Sequence, residues 1–128
     1  MKKGIILVID DEDIVRTSCS RALTPSGYEV KLAKNGHEGL SIMGGDKIDL
    51  VLTDLKMPDM DGIEVLRKIK KEWPEVEVII ITGYQTVDTA VKSIKLGAFD
   101  YIEKPFTPDA LINAVSKALD HKNKSQQT

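Results

Sequence analysis

The chain carries one cysteine, Cys19, among 128 residues. A single thiol cannot close an internal disulfide, so the fold must rest on its core, and a reducing, cytoplasmic setting is expected. Long apolar runs are missing too. No stretch approaches the roughly 20 residues a membrane span needs. The opening Met1-Lys2-Lys3-Gly4 leads straight into a strand-like segment and lacks the apolar length and small-residue cleavage site of a signal peptide. Neither sign of charge predominates: 18 Lys and Arg stand against 20 Asp and Glu, for a net charge of −2. The basic residues form no stripe, which argues against direct binding of nucleic acid. There is no internal repeat. What remains is the composition of an ordinary globular domain, 41% hydrophobic and 30% charged, long enough to bury one sizeable core without a staple.

The apolar residues fall into two periods. Five short runs, at 5–9, 28–33, 48–53, 76–82 and 99–102, are nearly continuous and mostly rich in Val, Ile and Leu, as strands buried on both faces of a parallel sheet require. Between and after them lie five stretches with helical spacing. Val15, Cys19, Ala22 and Leu23 share one face of the first. Ile63, Leu66 and Ile69 mark the third, Val87, Ala90, Val91 and Ile94 the fourth, and Ala110, Leu111, Ala114, Val115 and Ala118 the fifth. The second, near 35–44, has the weakest pattern. Local signals agree: Asn35 with Glu38 and Asp61 with Glu64 read as helix starts, Thr107-Pro108 as a cap followed by proline in the first turn, and Gly97 as a stop. Ser26-Gly27, Gly44-Gly45 and Pro74 punctuate the first three helices. Strict alternation of strand and helix predicts an α/β fold: a doubly wound, five-stranded parallel sheet in the order 2-1-3-4-5, flavodoxin-like, with five helices on two faces. The domain is expected over 1–120, with 121–128 a polar tail or the start of a linker.

This scheme gives meaning to the densest charge in the sequence. Asp10, Asp11, Glu12 and Asp13 follow the first strand directly. Asp10 and Asp11 end strand 1, Asp54 ends strand 3, Thr82 ends strand 4 and Lys104 follows strand 5. All fall at the carboxyl rim, where open α/β sheets place their sites. Two like charges 4 Å apart repel by about 4 kcal/mol at an effective dielectric of 20, and one lysine offsets one carboxylate. Three converging acids therefore call for a divalent cation. Mg²⁺ fits, since it takes one or two carboxylates, keeps waters and is completed by phosphate oxygens. Asp10 and Asp11, being adjacent, suit metal holding; Asp54, alone on the central strand, is placed to attack as a nucleophile. Lys104 and Thr82 then offer a point charge and a hydroxyl to a phosphoryl group.

Four segments, "VIDDE", "LVLTDLKMPDMDG", "IIITGYQTVDTAV" and "GAFDYIEKPF", together resemble the receiver domain of two-component response regulators over about residues 4–120. The phrases "TGYQTVDTAV" and "KLGAFDYIEKPF" are similar to receivers of alternative-sigma-factor activators of the nitrogen-regulation type. The resemblance implies that Asp54 is the phosphoacceptor for a histidine kinase. It implies that Asp10, Asp11, Asp54 and the backbone carbonyl of Lys56 hold Mg²⁺, and that Thr82, Lys104 and the amides of Lys56 and Gly83 contact the phosphoryl group. Lys104–Pro105 is expected to be cis. Thr82 and Tyr101 are expected to switch together, and Lys56 and Tyr84 to tune phosphate lifetime. The surface of helix 4, strand 5 and helix 5, with Lys92, Lys95, Asp100 and Glu103, is expected to change on phosphorylation and to support a homodimer. Output, expected to be transcription regulation, would lie in a domain absent from these 128 residues.

Two other chemistries use similar parts. A Mg²⁺-dependent phosphohydrolase with an aspartyl-phosphate intermediate would place its nucleophile after the first strand, whereas Asp54 comes later. A flavin or nucleotide module would offer amides to a phosphate where "DDEDI" offers repulsion. Taken singly, each site residue also has a plainer reading, as a cap, turn or solvated charge. Asp46, Asp49, Asp59, Asp61, Asp88, Asp100 and Asp109 are read that way, Cys19 and Trp73 as packing, and His37 and His121 as surface residues.

Overall fold

The structure, a computed structural model, describes residues 3–83 and 86–126; Tyr84, whose influence on phosphate lifetime the sequence suggested, lies outside them. Five strands alternate with five helices: β1 Ile5–Ile9, α1 Asp13–Leu23, β2 Glu29–Ala33, α2 Gly36–Gly45, β3 Leu50–Thr53, α3 Gly62–Glu72, β4 Glu77–Thr82, α4 Val87–Lys95, β5 Asp100–Glu103 and α5 Pro108–Gln126. The strands form one parallel sheet in the order β2-β1-β3-β4-β5. This is the architecture the alternation of periods predicts.

Every residue of β3 and β4 is buried, because helices cover both faces. On one face Leu7, Ile9, Val51, Val78 and Ile80 meet Val65, Leu66 and Ile69 of α3 and Met43 of α2. On the other, Ile6, Val8, Leu50, Leu52, Ile79 and Ile81 meet Cys19 and Leu23 of α1 and Leu111, Val115 and Ala118 of α5. Neighbouring residues of one strand thus feed different cores, the physical source of continuous apolar runs. Gly39 lets α2 close on β1: a Cβ there would run into the side chain of Ile9.

Two expectations are corrected, and one helix is longer than its apolar pattern. First, the stripe of α4 does not face the core. Val87 is 79% exposed, and Val91 and Ile94 are about half exposed. Ser93 is the buried residue instead, its hydroxyl satisfied by the Thr89 carbonyl at 2.8 Å. Periodicity reports that a helix has two faces but not which one packs. Second, Gly44 and Gly45 lie inside α2, which closes only where the Asp46 amide bonds the Ile42 carbonyl. Beyond its apolar stripe, α5 continues past Asp120 to Gln126. Polar residues hold it there: His121 Nδ1 lies 2.7 Å from Glu77 Oε2, and Lys122 Nζ 3.6 Å from Asp49 Oδ1. Gln127 and Thr128 are outside the described residues.

Candidate phosphoacceptor site

The sheet's register assembles the site. Ile9 pairs with Thr53, and the ladder continues one step beyond both strands: the Asp10 amide bonds the Ala33 carbonyl, and the Asp54 amide bonds the Ile9 carbonyl. Asp10 and Asp54 are thereby brought side by side at the rim, 1% and 6% exposed. Thr82 ends β4 opposite Glu103, and the Lys104 amide bonds the Thr82 carbonyl at 3.0 Å, which delivers the lysine to the same rim. Lys104–Pro105 is cis, as expected.

Lys104 Nζ sits at the centre of the acids. It lies 2.8 Å from Asp10 Oδ2, 2.9 Å from Glu12 Oε1 and 3.0 Å from Asp54 Oδ2. Burial works against its charge, but its pairing with the carboxylates of Asp10, Glu12 and Asp54 outweighs that, and its pKa stands above the ordinary lysine value. It is a fixed cation. Asp54 Oδ1 accepts from the amide of Leu55 at 2.7 Å and, more weakly, from that of Lys56 at 3.4 Å. One acceptor oxygen is thus held by backbone and the other by the lysine. Asp10 Oδ1 accepts from the Glu12 amide. Asp10 Oδ2 is close enough to Lys104 to pair in charge, yet among the described residues no donor is aligned on it. Burial, the largest influence, raises the pKa of Asp10 in spite of the lysine.

Asp10, Asp11, Glu12 and Asp54 each place a carboxylate oxygen within 4.8 Å of the others. Hard oxygen donors in this number suit a Mg²⁺-type ion, and the unaligned buried oxygen of Asp10 is the kind of atom such an ion satisfies. The cleft over the cluster, about 390 Å³, is lined by Asp11, Glu12, Asp54, Lys56, Thr82, Gly83 and Lys104. Six of the residues singled out from sequence, Asp11, Asp54, Lys56, Thr82, Gly83 and Lys104, therefore share one cleft, with Asp10 beneath it. Tyr101 stands apart, half-buried on β5, its hydroxyl 3.4 Å from Thr89 Oγ1 of α4.

Sequence reasoning missed Glu12 as a site residue, although it stands in the same acidic run; its role shows only once Lys104 arrives from 92 positions away. Asp13 belongs elsewhere, paired with Arg16, which also donates to the Asp10 carbonyl. His37 and His121 are largely exposed, as expected, but both have carboxylate partners, Asp59 and Glu77. Cys19 is fully buried and its thiol is pushed up to about 12 by that burial, with the charge of Asp10 adding to it. It is a packing residue. Among the described residues no helix is long and apolar enough to cross a membrane.

Residues 6–116 match the response regulator receiver domain. The DNA-binding transcriptional regulator NtrC of Salmonella typhimurium is 38% identical over 127 residues, 99% of this chain and 27% of that protein. The regulatory protein AtoC of Escherichia coli is 42% identical over 114 residues, 89% of this chain and 25% of that protein. This chain thus spans about a quarter of the length of these relatives. Among solved structures, a CheY-like receiver domain protein from Methanospirillum hungatei superposes with a TM-score of 0.92 at 36% identity, covering 95% of this chain and 98% of that one. NtrX from Brucella abortus gives a TM-score of 0.93 at 34% identity, covering 99% of this chain and 29% of that one. With its sheet order, its acidic rim and these likenesses in agreement, the chain belongs to the response regulator receiver domain family of two-component systems.

Proposed function

We propose that Asp54 accepts a phosphoryl group from the phosphohistidine of a histidine kinase. The observation that carries this reading is the setting of Asp54: a buried carboxylate, one oxygen on a backbone amide and the other on Lys104, inside a cluster of acids. In the transfer the P–N bond of the donor breaks as a P–O bond to Asp54 forms. The bonding pair stays on the imidazole nitrogen, and the aspartate becomes an acyl phosphate. Lys104 leaves its carboxylate partners for the incoming phosphoryl oxygens, while Thr82 and the amides of Lys56 and Gly83 donate to the others. A magnesium ion held by Asp10, Asp11, Asp54 and the Lys56 carbonyl would supply the charge neutralisation that one lysine cannot. The protein assists its own phosphorylation and dephosphorylation rather than turning over a separate substrate. Lys56, exposed at the rim, slows attack by water.

The kinase approaches over the apolar margin of the cleft beside Lys104, where Ile14 is 73% exposed and stands with Val15, Pro105 and Phe106. Drawing Thr82 toward the phosphate shifts Tyr101 and, through its neighbour Thr89, α4. The exposed Val87, Val91 and Ile94 of α4, with Lys92, Lys95 and Glu103 nearby, suit a surface that pairs with a second copy when phosphorylated. The relatives named as regulators suggest that the output is transcription, carried by a domain beyond the receiver body at 1–120 and joined to it through 121–128.

Intact mass after treatment with acetyl phosphate and Mg²⁺, followed by size-exclusion chromatography, tests the reading. One phosphoryl adduct is expected, lost with EDTA and lost in Asp54→Asn. An adduct of equal yield in Asp54→Asn, or multiple-turnover phosphate release from small phosphomonoesters, would overturn it.

A further inference from the structure

The loop between β3 and α3 carries Lys56 into the cleft, and its two ends are fixed by Asp54 and by Gly62. The Gly62 amide bonds the Leu55 carbonyl at 2.8 Å, and a Cβ on Gly62 would strike the Asp54 carbonyl. Midway, the loop makes a second attachment, to the start of α2. Asp59 Oδ1 accepts from the Gly36 amide at 3.1 Å, and Asp59 Oδ2 accepts from the His37 amide at 2.9 Å. The His37 ring closes on the same oxygen, Nδ1 to Oδ2 2.6 Å. Next to Asp59, Met60 is buried against Gly36, where an added Cβ would come within 3.0 Å of it.

Helix capping alone does not account for this. Asn35 already caps α2 through the Glu38 amide, and the Asn35 carbonyl takes the Gly39 amide. Asp59 takes the other two free amides of the first turn, from 22 and 23 positions away. It does so with both oxygens, at the positive end of the helix, where an anion is favoured. Burial acts to raise its pKa, but the bonds from His37 and Gly36 outweigh this and hold the carboxyl below its ordinary value. Helix α2 is itself seated tightly on β1 through Gly39 and Ile9. The loop is thus tied to a helix that is itself packed on the sheet.

We propose that Asp59 is a positioning residue: by clamping the β3–α3 loop to the first turn of α2, it sets the orientation of the Leu55–Lys56 backbone and so the fit of the acidic cleft to Mg²⁺. This rests on the proposed function only in taking the Lys56 carbonyl as part of the metal site. Asp59 touches neither the metal nor the phosphoryl group. Its effect passes along the backbone through Pro58 and Met57 to Lys56.

The test is a graded series, wild type, Asp59→Asn and Asp59→Ala, with Mg²⁺ affinity measured by calorimetry and amide exchange measured on the metal-free proteins. Asparagine keeps one acceptor oxygen and alanine none. Mg²⁺ affinity is expected to fall by about tenfold in Asp59→Ala, the lower end of what loss of an outer support costs a metal site, with Asp59→Asn between. The amides of Leu55 and Lys56 should exchange faster in the same order. His37→Ala keeps its backbone amide and should bind Mg²⁺ nearly as wild type does. Faster exchange at Gly36 and His37 with unchanged Mg²⁺ affinity would reduce Asp59 to a cap for α2 and overturn the clamp alone. A wild-type protein that binds no Mg²⁺ would instead overturn the proposed function, and the clamp with it.

Discussion

Replacing Asp10 with asparagine removes one charge from the cluster while leaving its shape nearly intact, so it measures what the acids cost when no metal is bound. The attraction between Asp10 and Lys104 at 2.8 Å is about 6 kcal/mol at an effective dielectric of 20. Against it stand Asp11, Glu12 and Asp54, each with an oxygen within 4.8 Å, or about 3 kcal/mol of repulsion apiece by the same rule. Asp11 and Glu12 are exposed, so solvent reduces their shares by half or more. Arg16 is engaged by Asp13 and adds little. Attraction and repulsion then roughly cancel, and the burial of a group 1% exposed decides the sign. The raised pKa of Asp10, led by that burial, points the same way. Asparagine keeps the oxygen that accepts from the Glu12 amide. Asp10→Asn is therefore expected to stabilise the metal-free protein by about 1–2 kcal/mol, a rise in melting temperature of roughly 3–8 °C.

The pH dependence follows from linkage. A carboxyl whose pKa is higher folded than unfolded binds more protons in the folded state, so its contribution to stability falls as pH rises from the unfolded to the folded value. Wild type should show that decline in EDTA, and Asp10→Asn should lack its Asp10 share. Mg²⁺ reverses the ranking. Wild type is expected to gain about 2.7 kcal/mol at a hundredfold excess over the dissociation constant, and the variant much less. Thermal melts in EDTA and in Mg²⁺ across the acid range decide the matter. A variant less stable than wild type in EDTA, or one that gains equally from Mg²⁺, would refute the reasoning.

Two further substitutions test the proposed kinase-docking margin and the loop. Ile14→Asp puts a charge on an exposed residue beside the cleft. It should slow phosphotransfer from a kinase at least about tenfold, as loss of an interface anchor does, and leave labelling by acetyl phosphate unchanged; equal effects on both donors would remove Ile14 from the docking surface. Gly62→Ala forces a Cβ against the Asp54 carbonyl, so the backbone at Asp54 must shift. A loss of about 1–3 kcal/mol is expected in chemical denaturation, together with slower acetyl phosphate labelling, and wild-type stability would show that the contact relaxes freely.

The sheet was legible because its two cores impose a continuous apolar pattern on β1, β3 and β4, and strict alternation leaves few ways to connect them. The rim was legible for a related reason. In a parallel sheet every strand ends at the same edge, so Asp10, Asp54, Thr82 and Lys104 needed only their places relative to strand ends. Whatever depends on which face a helix turns, or on who meets whom across the sequence, was not. The α4 stripe has the spacing of a packed face, yet it lies open while Ser93 goes inward. Glu12 looked like one more acid in a run until Lys104 reached it. Asp59 looked like a turn residue because its partners, Gly36 and His37, lie on another element.

These three cases share a cause, which bears on how the site works. Glu12, Asp59 and Ser93 each commit a polar group to a contact that an apolar pattern cannot encode. Lys104 is paired with Asp10, Glu12 and Asp54 at once, and in the proposed function it would have to release some of them to reach a phosphoryl oxygen. The exposed Glu12 contact is the weakest of the three, since water competes for it. On the proposed function, release of the lysine would therefore begin at the exposed Glu12, and the buried Asp10 and Asp54 would be the last of its partners to let go.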